Sequence, residues 1–323
     1  MFEPLGKPPF LSAPERGKMR SSLSELLIFF VVIIVGQFAC NLVMLPYTMA
    51  RLMAEEGYYA VALGGDLDAA TAFVTEFFSE MEKSDVWYHV MMAVSAVALG
   101  GAALLVCLAV RKGSAASMAL GGKKLLPMLS GMALGALAVI GAFGFGMLFG
   151  VFRFEGVTGS LSAEALLAMI PALAVQAFSY ALLFQGYLMT ALARKGSLWV
   201  ALVVSGVAFA AFTASPTGGA LTFLNAALLG ILLSLYTVRS GNLFGSVAFH
   251  FAYLYGMGVL CGFPIGGLRF PTPLLSFAVA VTDEYVGGGA NGLENGMALT
   301  CVLALGVAVL AMRKTKEQNS SRL

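Results

Sequence analysis

Long apolar runs separated by short polar turns dominate the chain. A helix of about 20 apolar residues is long enough to cross the hydrocarbon core of a bilayer. The pattern therefore predicts an all-α polytopic membrane protein with about eight transmembrane helices, which form a single bundle over residues 24–314. The predicted spans lie at 24–45, 87–110, 125–152, 164–192, 198–214, 222–238, 243–261 and 295–312.

Composition agrees with this pattern. Of the 323 residues, 59% are hydrophobic and 11% are charged, and the mean hydropathy is +0.88. A soluble domain carries about 25% charged residues, so the predicted partner is the lipid bilayer and not a nucleic acid. The four cysteines have no metal-type spacing and are interpreted as small buried hydrophobic residues. No cofactor is expected.

The distribution of cations predicts the orientation. All but four of the 19 Lys and Arg residues fall on the predicted inner side, in the tails and in the turns after alternate spans. Such a bias places both termini in the cytoplasm, as tails at 1–23 and 315–323. The first run is too long for a signal peptide and is interpreted as a retained span that ends at Pro46. The four exceptions are Arg51, Lys83, Arg153 and Arg269.

Two longer segments are predicted outside the membrane. Residues 51–86 are acidic, and Phe73, Phe77, Phe78 and Met81 recur there at helical spacing, which predicts a short amphipathic helix. Its apolar face either packs on the bundle or binds a partner. Residues 262–294 are rich in Gly and Pro, and their apolar part, Leu274–Val281, is interpreted as a re-entrant or interfacial piece because it is too short to span.

Residues 176–254 carry the candidate chemistry. Polar side chains recur inside the apolar runs, but no Asp or Glu occurs between Glu164 and Asp283. The interior is therefore expected to offer one histidine and no carboxylate, which is too little for a zinc site. Polar groups at membrane depth are costly unless they are paired, so a shared pocket is predicted. Its candidate residues are Tyr180, Gln185, Thr213 and His250.

The same stretch carries a family resemblance. The residues at 184–187 (FQGY), the run YTVRSGNL at 236–243 and His250 resemble the core of the CPBP family. This family consists of intramembrane proteases that include CAAX prenyl endopeptidases and bacteriocin-processing enzymes. The resemblance covers residues 165–260 and agrees with a CPBP-type bundle of eight spans. It implies an endopeptidase in which a glutamate and histidines position an attacking water, with or without a metal.

The motif residues of that family are mostly replaced. Its Glu-Glu pair falls on Tyr180 and Ala181, and its arginine falls on Gln185. The histidine of the second motif falls on Thr213, although the preceding Phe209 is kept. In the third motif His250 remains, while the Asn position is Leu254. No catalytic residue is therefore assigned, and His250 is the one polar motif residue retained.

Three functions from different classes are compatible with these residues. The favoured hypothesis is a non-catalytic pseudoprotease, a scaffold or regulator in a bacterial plasma membrane, whose external loop 51–86 binds a membrane or cell-envelope protein. The alternative is an active endopeptidase with a displaced site, for instance a hydroxyl group paired with His250. A small transporter is the least favoured, because the spans carry few ionisable groups and no inverted repeat.

Overall fold

The computed structural model describes residues 7–17, 21–158, 162–279, 286 and 288–312. The tail predicted at 315–323 lies outside these residues. The described chain is mainly helical, with short 3-10 turns at Ala115–Met118 and Gly289–Asn295. Its helices are α1 (Pro9–Ser12), α2 (Ser22–Met53), α3 (Tyr58–Leu63), α4 (Leu67–Ser84), α5 (Val86–Val110), α6 (Leu125–Leu148), α7 (Ala163–Ala193), α8 (Leu198–Thr213), α9 (Ala220–Ser240), α10 (Phe244–Leu260) and α11 (Met297–Met312).

Five helices, α2, α5, α6, α7 and α9, are long and apolar enough to cross a membrane. Helices α8, α10 and α11 are apolar but shorter. With 16 residues each, α8 and α11 extend about 24 Å at 1.5 Å per residue. These helices indicate an integral membrane protein, as expected, whereas the number of eight spans stays a prediction.

The long helices alternate in direction, so the bundle has two ends. Arg194 donates hydrogen bonds to the carbonyl oxygens of Phe10 and Leu11, and Arg239 donates to those of Leu310 and Ala311. The N-terminal segment and the end of α11 thus lie at one end, which we call the terminal face. The opposite end, the loop face, is formed by residues 54–85, 149–158, 214–219 and 261–279 and by the described part of 286–296.

The described part of the N-terminal tail packs on the bundle. Residues 7–17 contain α1 and pack on the terminal face, where Phe10 is buried. Glu15 forms ion pairs with Arg111 and Arg194, which belong to turns predicted simply as basic.

Helix α2 does not end at Pro46, and this prediction was wrong. The helix continues through the proline to Met53. Proline removes one backbone donor, but membrane helices tolerate this loss when nearby groups reorganise the hydrogen bonding. The Thr48 hydroxyl donates to the carbonyl oxygens of Met44 and Leu45 beside the proline.

The amphipathic helix predicted in the acidic segment is confirmed as α4. The Asp66 carboxylate caps its first turn by accepting from the backbone N–H groups of Asp68 and Ala69. Phe77 and Met81 are buried and pack with Leu52 at the end of α2. The apolar face therefore packs on the protein itself.

The apolar piece predicted at Leu274–Val281 as re-entrant or interfacial contains a β-strand, and its residues 280 and 281 lie outside the described residues. Strand β2 (Leu275–Val279) pairs antiparallel with β1 (Phe152–Val157), and Phe152 lies opposite Val279. Phe152, the last residue of the predicted third span, thus belongs to this antiparallel strand pair, and α6 ends at Leu148. Because the strands are more than 100 residues apart, the local pattern could not reveal their pairing.

Glycines allow the central helices to approach closely. A Cβ at Gly131 or Gly135 of α6 would overlap the carbonyl oxygens of Gly245 or Phe249 on α10. Likewise, a Cβ at Gly230 of α9 would lie 2.9 Å from the Cβ of Phe209 on α8. Small residues serve this purpose at membrane helix contacts. The contacts fix α8, α9 and α10 around the cavity described next.

Candidate functional site

A cavity of about 290 Å³ lies in the bundle toward the loop face. Side chains of α2, α5, α7, α8, α9 and α10 form its wall, and the segment at 265–268 and Glu294 close part of its outer end. Its lining includes three of the four predicted pocket residues, Tyr180, Thr213 and His250, and also the motif-equivalent Leu254.

Gln185 is not part of this lining. It lies one turn beyond Tyr180 along α7, in a π-helical section at Leu182–Met189, and its side chain is buried. Within the described residues its Nε2 atom has no hydrogen-bond partner. The wider turn of a π-helix changes the direction of side chains that follow it. The structure therefore separates Gln185 from the other three candidates.

His250 is held by aromatic rings. Its ring centroid lies 6.1 Å from that of Tyr180 and 5.5 Å from that of Phe209, and the residue is 3% exposed. In the part of the chain that is described, no hydrogen bond to the imidazole is present. The Tyr180 hydroxyl instead accepts a hydrogen bond of 3.4 Å from Gln176. His250 thus lacks the polar neighbours that would orient it as a general base.

The other motif-equivalent residues are also engaged in packing. The Thr213 hydroxyl donates to the carbonyl oxygen of Phe209, 2.8 Å away in its own helix. Ala181 is buried, and Leu254 presents an apolar side chain to the cavity. Among the described residues no group of three or more His, Cys, Asp or Glu side chains is arranged to hold a metal ion.

Sequence reasoning missed the one carboxylate in the described lining, Glu294. The expectation that the interior contains no carboxylate was wrong, because the chain returns from the loop face and places this glutamate in the lining. Its Oε2 atom accepts a hydrogen bond of 2.7 Å from the backbone N–H of Gly266. The sequence feature that could have indicated this residue is a single Glu three residues before the last apolar helix.

The backbone at Glu294 is anchored by Asn225 of α9. The Asn225 amide nitrogen donates to the carbonyl oxygens of Glu294, at 2.9 Å, and Gly296, at 3.2 Å. The amide oxygen accepts from the Thr300 hydroxyl at 2.7 Å. All three contacts join α9 to the start of α11. Asn225 therefore sets where the carboxylate enters the cavity.

Burial controls the ionisation of Glu294. Desolvation raises the pKa of its carboxyl group to about 7, although the hydrogen bond from Gly266 opposes this shift. The carboxyl group therefore exchanges its proton near neutral pH. Together with the imidazole of His250, it gives the cavity two groups that can accept a proton.

One segment of the chain matches a known protein family. Residues 162–255 match the model of the Rce1-like type II CAAX prenyl endopeptidases. The resemblance stated from the motifs is thereby confirmed for this segment, which includes α7, α8, α9 and most of α10. No curated protein and no solved structure matches the chain.

The Rce1-like segment supplies Tyr180, Thr213 and His250 to the cavity. Gly266 and Glu294 come from the chain beyond it. The one carboxylate in the described lining therefore does not occupy a position of the family's motifs.

Proposed function

We propose that the protein is a non-catalytic relative of the Rce1-like endopeptidases, a membrane scaffold or regulator. The packing of His250 between Tyr180 and Phe209 carries this proposal. Peptide hydrolysis needs an activated water and stabilisation of the oxyanion. The positions that would provide them, Tyr180, Ala181, Gln185, Thr213 and Leu254, hold none of the carboxylate, arginine, histidine or asparagine side chains that the family motifs use.

The proposed setting is a bacterial plasma membrane, with eight spans and both termini in the cytoplasm. Five long apolar helices and three shorter ones support that number. The basic residues of the terminal face, including Arg111, Arg194 and Arg239, support the orientation by the positive-inside rule.

The proposed partner surface is the acidic segment 51–86, which would face a membrane or cell-envelope protein. Glu55, Glu76 and Glu80 line a cleft of about 440 Å³ on the loop face, beside Phe73. Since Phe77 and Met81 are used in packing, the acidic rim and not the apolar face is the surface that we propose for contact. Photo-crosslinkers at Glu76 and Glu80 should capture one specific partner, and the same probe at exposed Leu148 should not.

A second candidate function is an active endopeptidase with a displaced site. One observation favours it: Glu294 and His250 line the same cavity, so a carboxylate and an imidazole are present together. A carboxylate can serve as general base when its pKa lies near the working pH. This candidate would use residues that the family motifs do not contain.

N-terminal proteomics separates the two functions. Peptide termini of membrane and surface proteins would be compared in five strains, expressing wild type, no protein, His250→Ala, Glu294→Gln or the control Glu155→Gln. Glu155 is an exposed carboxylate of the β-strand pair on the same face, outside the cavity.

A scaffold predicts the same termini in all strains. Cut sites that occur in wild type and in Glu155→Gln, but disappear in the deletion strain and in either cavity variant, would establish the enzyme and overturn the scaffold. Immunoblots against a shared tag would confirm equal amounts of each variant in the membrane.

A further inference from the structure

Aromatic rings form part of the cavity wall. Five rings line it, and His250 contributes one of them. The face of an aromatic ring is electron-rich and attracts cations, particularly when water is excluded. The other four rings belong to Tyr180, Phe209, Phe212 and Tyr253.

The described lining contains one formally charged side chain, Glu294. Within the described chain no Lys, Arg or His forms an ion pair with it, and its side chain receives the single hydrogen bond from Gly266. Glu294 is partly buried, and a carboxylate with limited access to water is costly unless a cation or several donors compensate it. Burial has accordingly raised its pKa to about 7.

We propose that this cavity binds an organic ammonium ion with a small apolar body. The ammonium group pairs with the Glu294 carboxylate near the loop face, and the apolar body lies against the aromatic rings deeper in the cavity. The inference deepens the proposed function, since it assigns a ligand class to the cavity of a non-catalytic protein.

Other ligand classes fit the cavity less well. An anion would meet the carboxylate, and the described lining has no Lys or Arg to attract it. A metal ion needs several hard or nitrogen ligands, and the described residues supply no such group. A neutral apolar molecule would leave the carboxylate without a partner. An ammonium ion compensates the charge and uses the rings as well.

The volume limits the size of the ligand. Pockets for drug-sized molecules measure about 300–1,000 Å³, and this cavity of about 290 Å³ lies just below that range. A short-chain or single-ring amine matches this space better than a folded peptide or a whole lipid. A second cavity, lined by His89 and Phe270 among others, has a volume of only about 90 Å³.

The test uses the full chain in phosphatidylcholine nanodiscs and three probes of the same length: hexylammonium, hexanol and hexanoate. Binding is measured by calorimetry at pH 8, and the signal of empty nanodiscs is subtracted to remove partition into lipid. The variant Glu294→Gln keeps the shape and an oxygen that can accept from Gly266, but removes the charge. Glu155→Gln is the matched control.

We expect wild type and Glu155→Gln to bind hexylammonium at least 10-fold more tightly than hexanol, and hexanoate not to bind. Glu294→Gln should lose at least 10-fold in hexylammonium affinity and keep its affinity for hexanol. Equal affinity of wild type and Glu294→Gln for hexylammonium would overturn the proposal. Equal affinities of wild type for hexanol and hexylammonium would also overturn it, and so would a lack of saturable hexylammonium binding by wild type.

Failure of this inference is distinguishable from failure of the proposed function. The calorimetric result does not depend on whether a peptide bond is cut, and the proteomic comparison does not depend on amine binding. Cut sites together with charge-selective binding would overturn the scaffold alone. Identical termini without charge-selective binding would overturn the proposed ligand class alone.

Discussion

Arg111 and Glu15, 96 residues apart in the sequence, form an ion pair of 2.5 Å at the terminal face. The guanidinium group is 5% exposed, and Arg194 pairs with the same carboxylate at 3.3 Å. One glutamate thus serves two largely buried cations. This contact ties the N-terminal segment to the ends of α5 and α7.

Removal of that carboxylate should destabilise the bundle. In Glu15→Gln, Arg111 and Arg194 keep their charges without a counter-charge, so we expect a loss of about 2–3 kcal/mol in the free energy of unfolding. The loss would be measured by SDS titration of the purified protein. Glu80→Gln is the control, because the pair between Glu80 and Lys83 is more than half exposed, and should cost less than about 1 kcal/mol. Equal effects of the two substitutions would contradict the interpretation.

The contact between α6 and α10 depends on glycine at 135. The added methyl group of Gly135→Ala would overlap the carbonyl oxygen of Phe249, so we expect destabilisation by about 1–3 kcal/mol. Gly144 lies on the same helix, and a methyl group added there would meet no other atom within 4 Å. Gly144→Ala should therefore be neutral or stabilise by about 0.5–1 kcal/mol. Thermal unfolding of the two variants measures the difference, and a stable Gly135→Ala would refute the close contact.

Asn225 should control the order of the segment around Glu294. In Asn225→Leu the two donated hydrogen bonds and the one accepted from Thr300 are lost, at a cost of about 1–3 kcal/mol. We expect faster amide hydrogen exchange over residues 288–300 and weaker binding of hexylammonium. Exchange in α4, which makes no contact with Asn225, should not change and serves as the internal control. Unchanged exchange at 288–300 would show that other contacts hold this segment.

Binding of an ammonium ion should depend on pH through Glu294. The pKa of this carboxyl group is raised to about 7 by burial, so the group is neutral below that pH and charged above it. Hexylammonium keeps its proton across this range, as lysine does. Its affinity for wild type should rise from pH 5 to pH 8 and be about 10-fold higher at the upper end.

The other titratable groups that line the cavity are His250, Tyr180, Tyr253 and Cys40. A protonated His250 would also repel the ammonium ion, so protonation of either group would lower the affinity at acid pH. The pH profile of Glu294→Gln tests the assignment, because this variant lacks the carboxyl group whose pKa is raised to about 7. A profile identical to that of wild type would assign the dependence to a group other than Glu294.

The sequence predicted the parts of the fold that depend on local composition. Apolar runs located every long helix, and helical spacing located α4, because burial in lipid or against a neighbour leaves a periodic signal. The strand pair at Phe152–Val157 and Leu275–Val279 was missed, since its partners are remote in sequence and each is too short to identify alone.

The residues of the candidate site were predicted only in part. Tyr180, Thr213 and His250 lie on motif positions of adjacent helices, so the resemblance located them. Glu294 lies after a Gly- and Pro-rich segment, and it is held at the cavity by contacts with Gly266 and Asn225, which are remote in sequence. No periodicity marks such contacts. Gln185 lies in the π-helical section of α7 and is not part of the lining.

The origin of Glu294 also bears on how the protein could diversify. The rings of the cavity come largely from the helices that match the family, whereas its negative charge comes from a separate connecting segment. Exchange of that segment for another sequence would change the charge of the cavity, provided that the replacement keeps the backbone contacts with Asn225 that join it to α9. The same bundle could thus be retuned from cations to neutral or anionic molecules by a short insertion or recombination event.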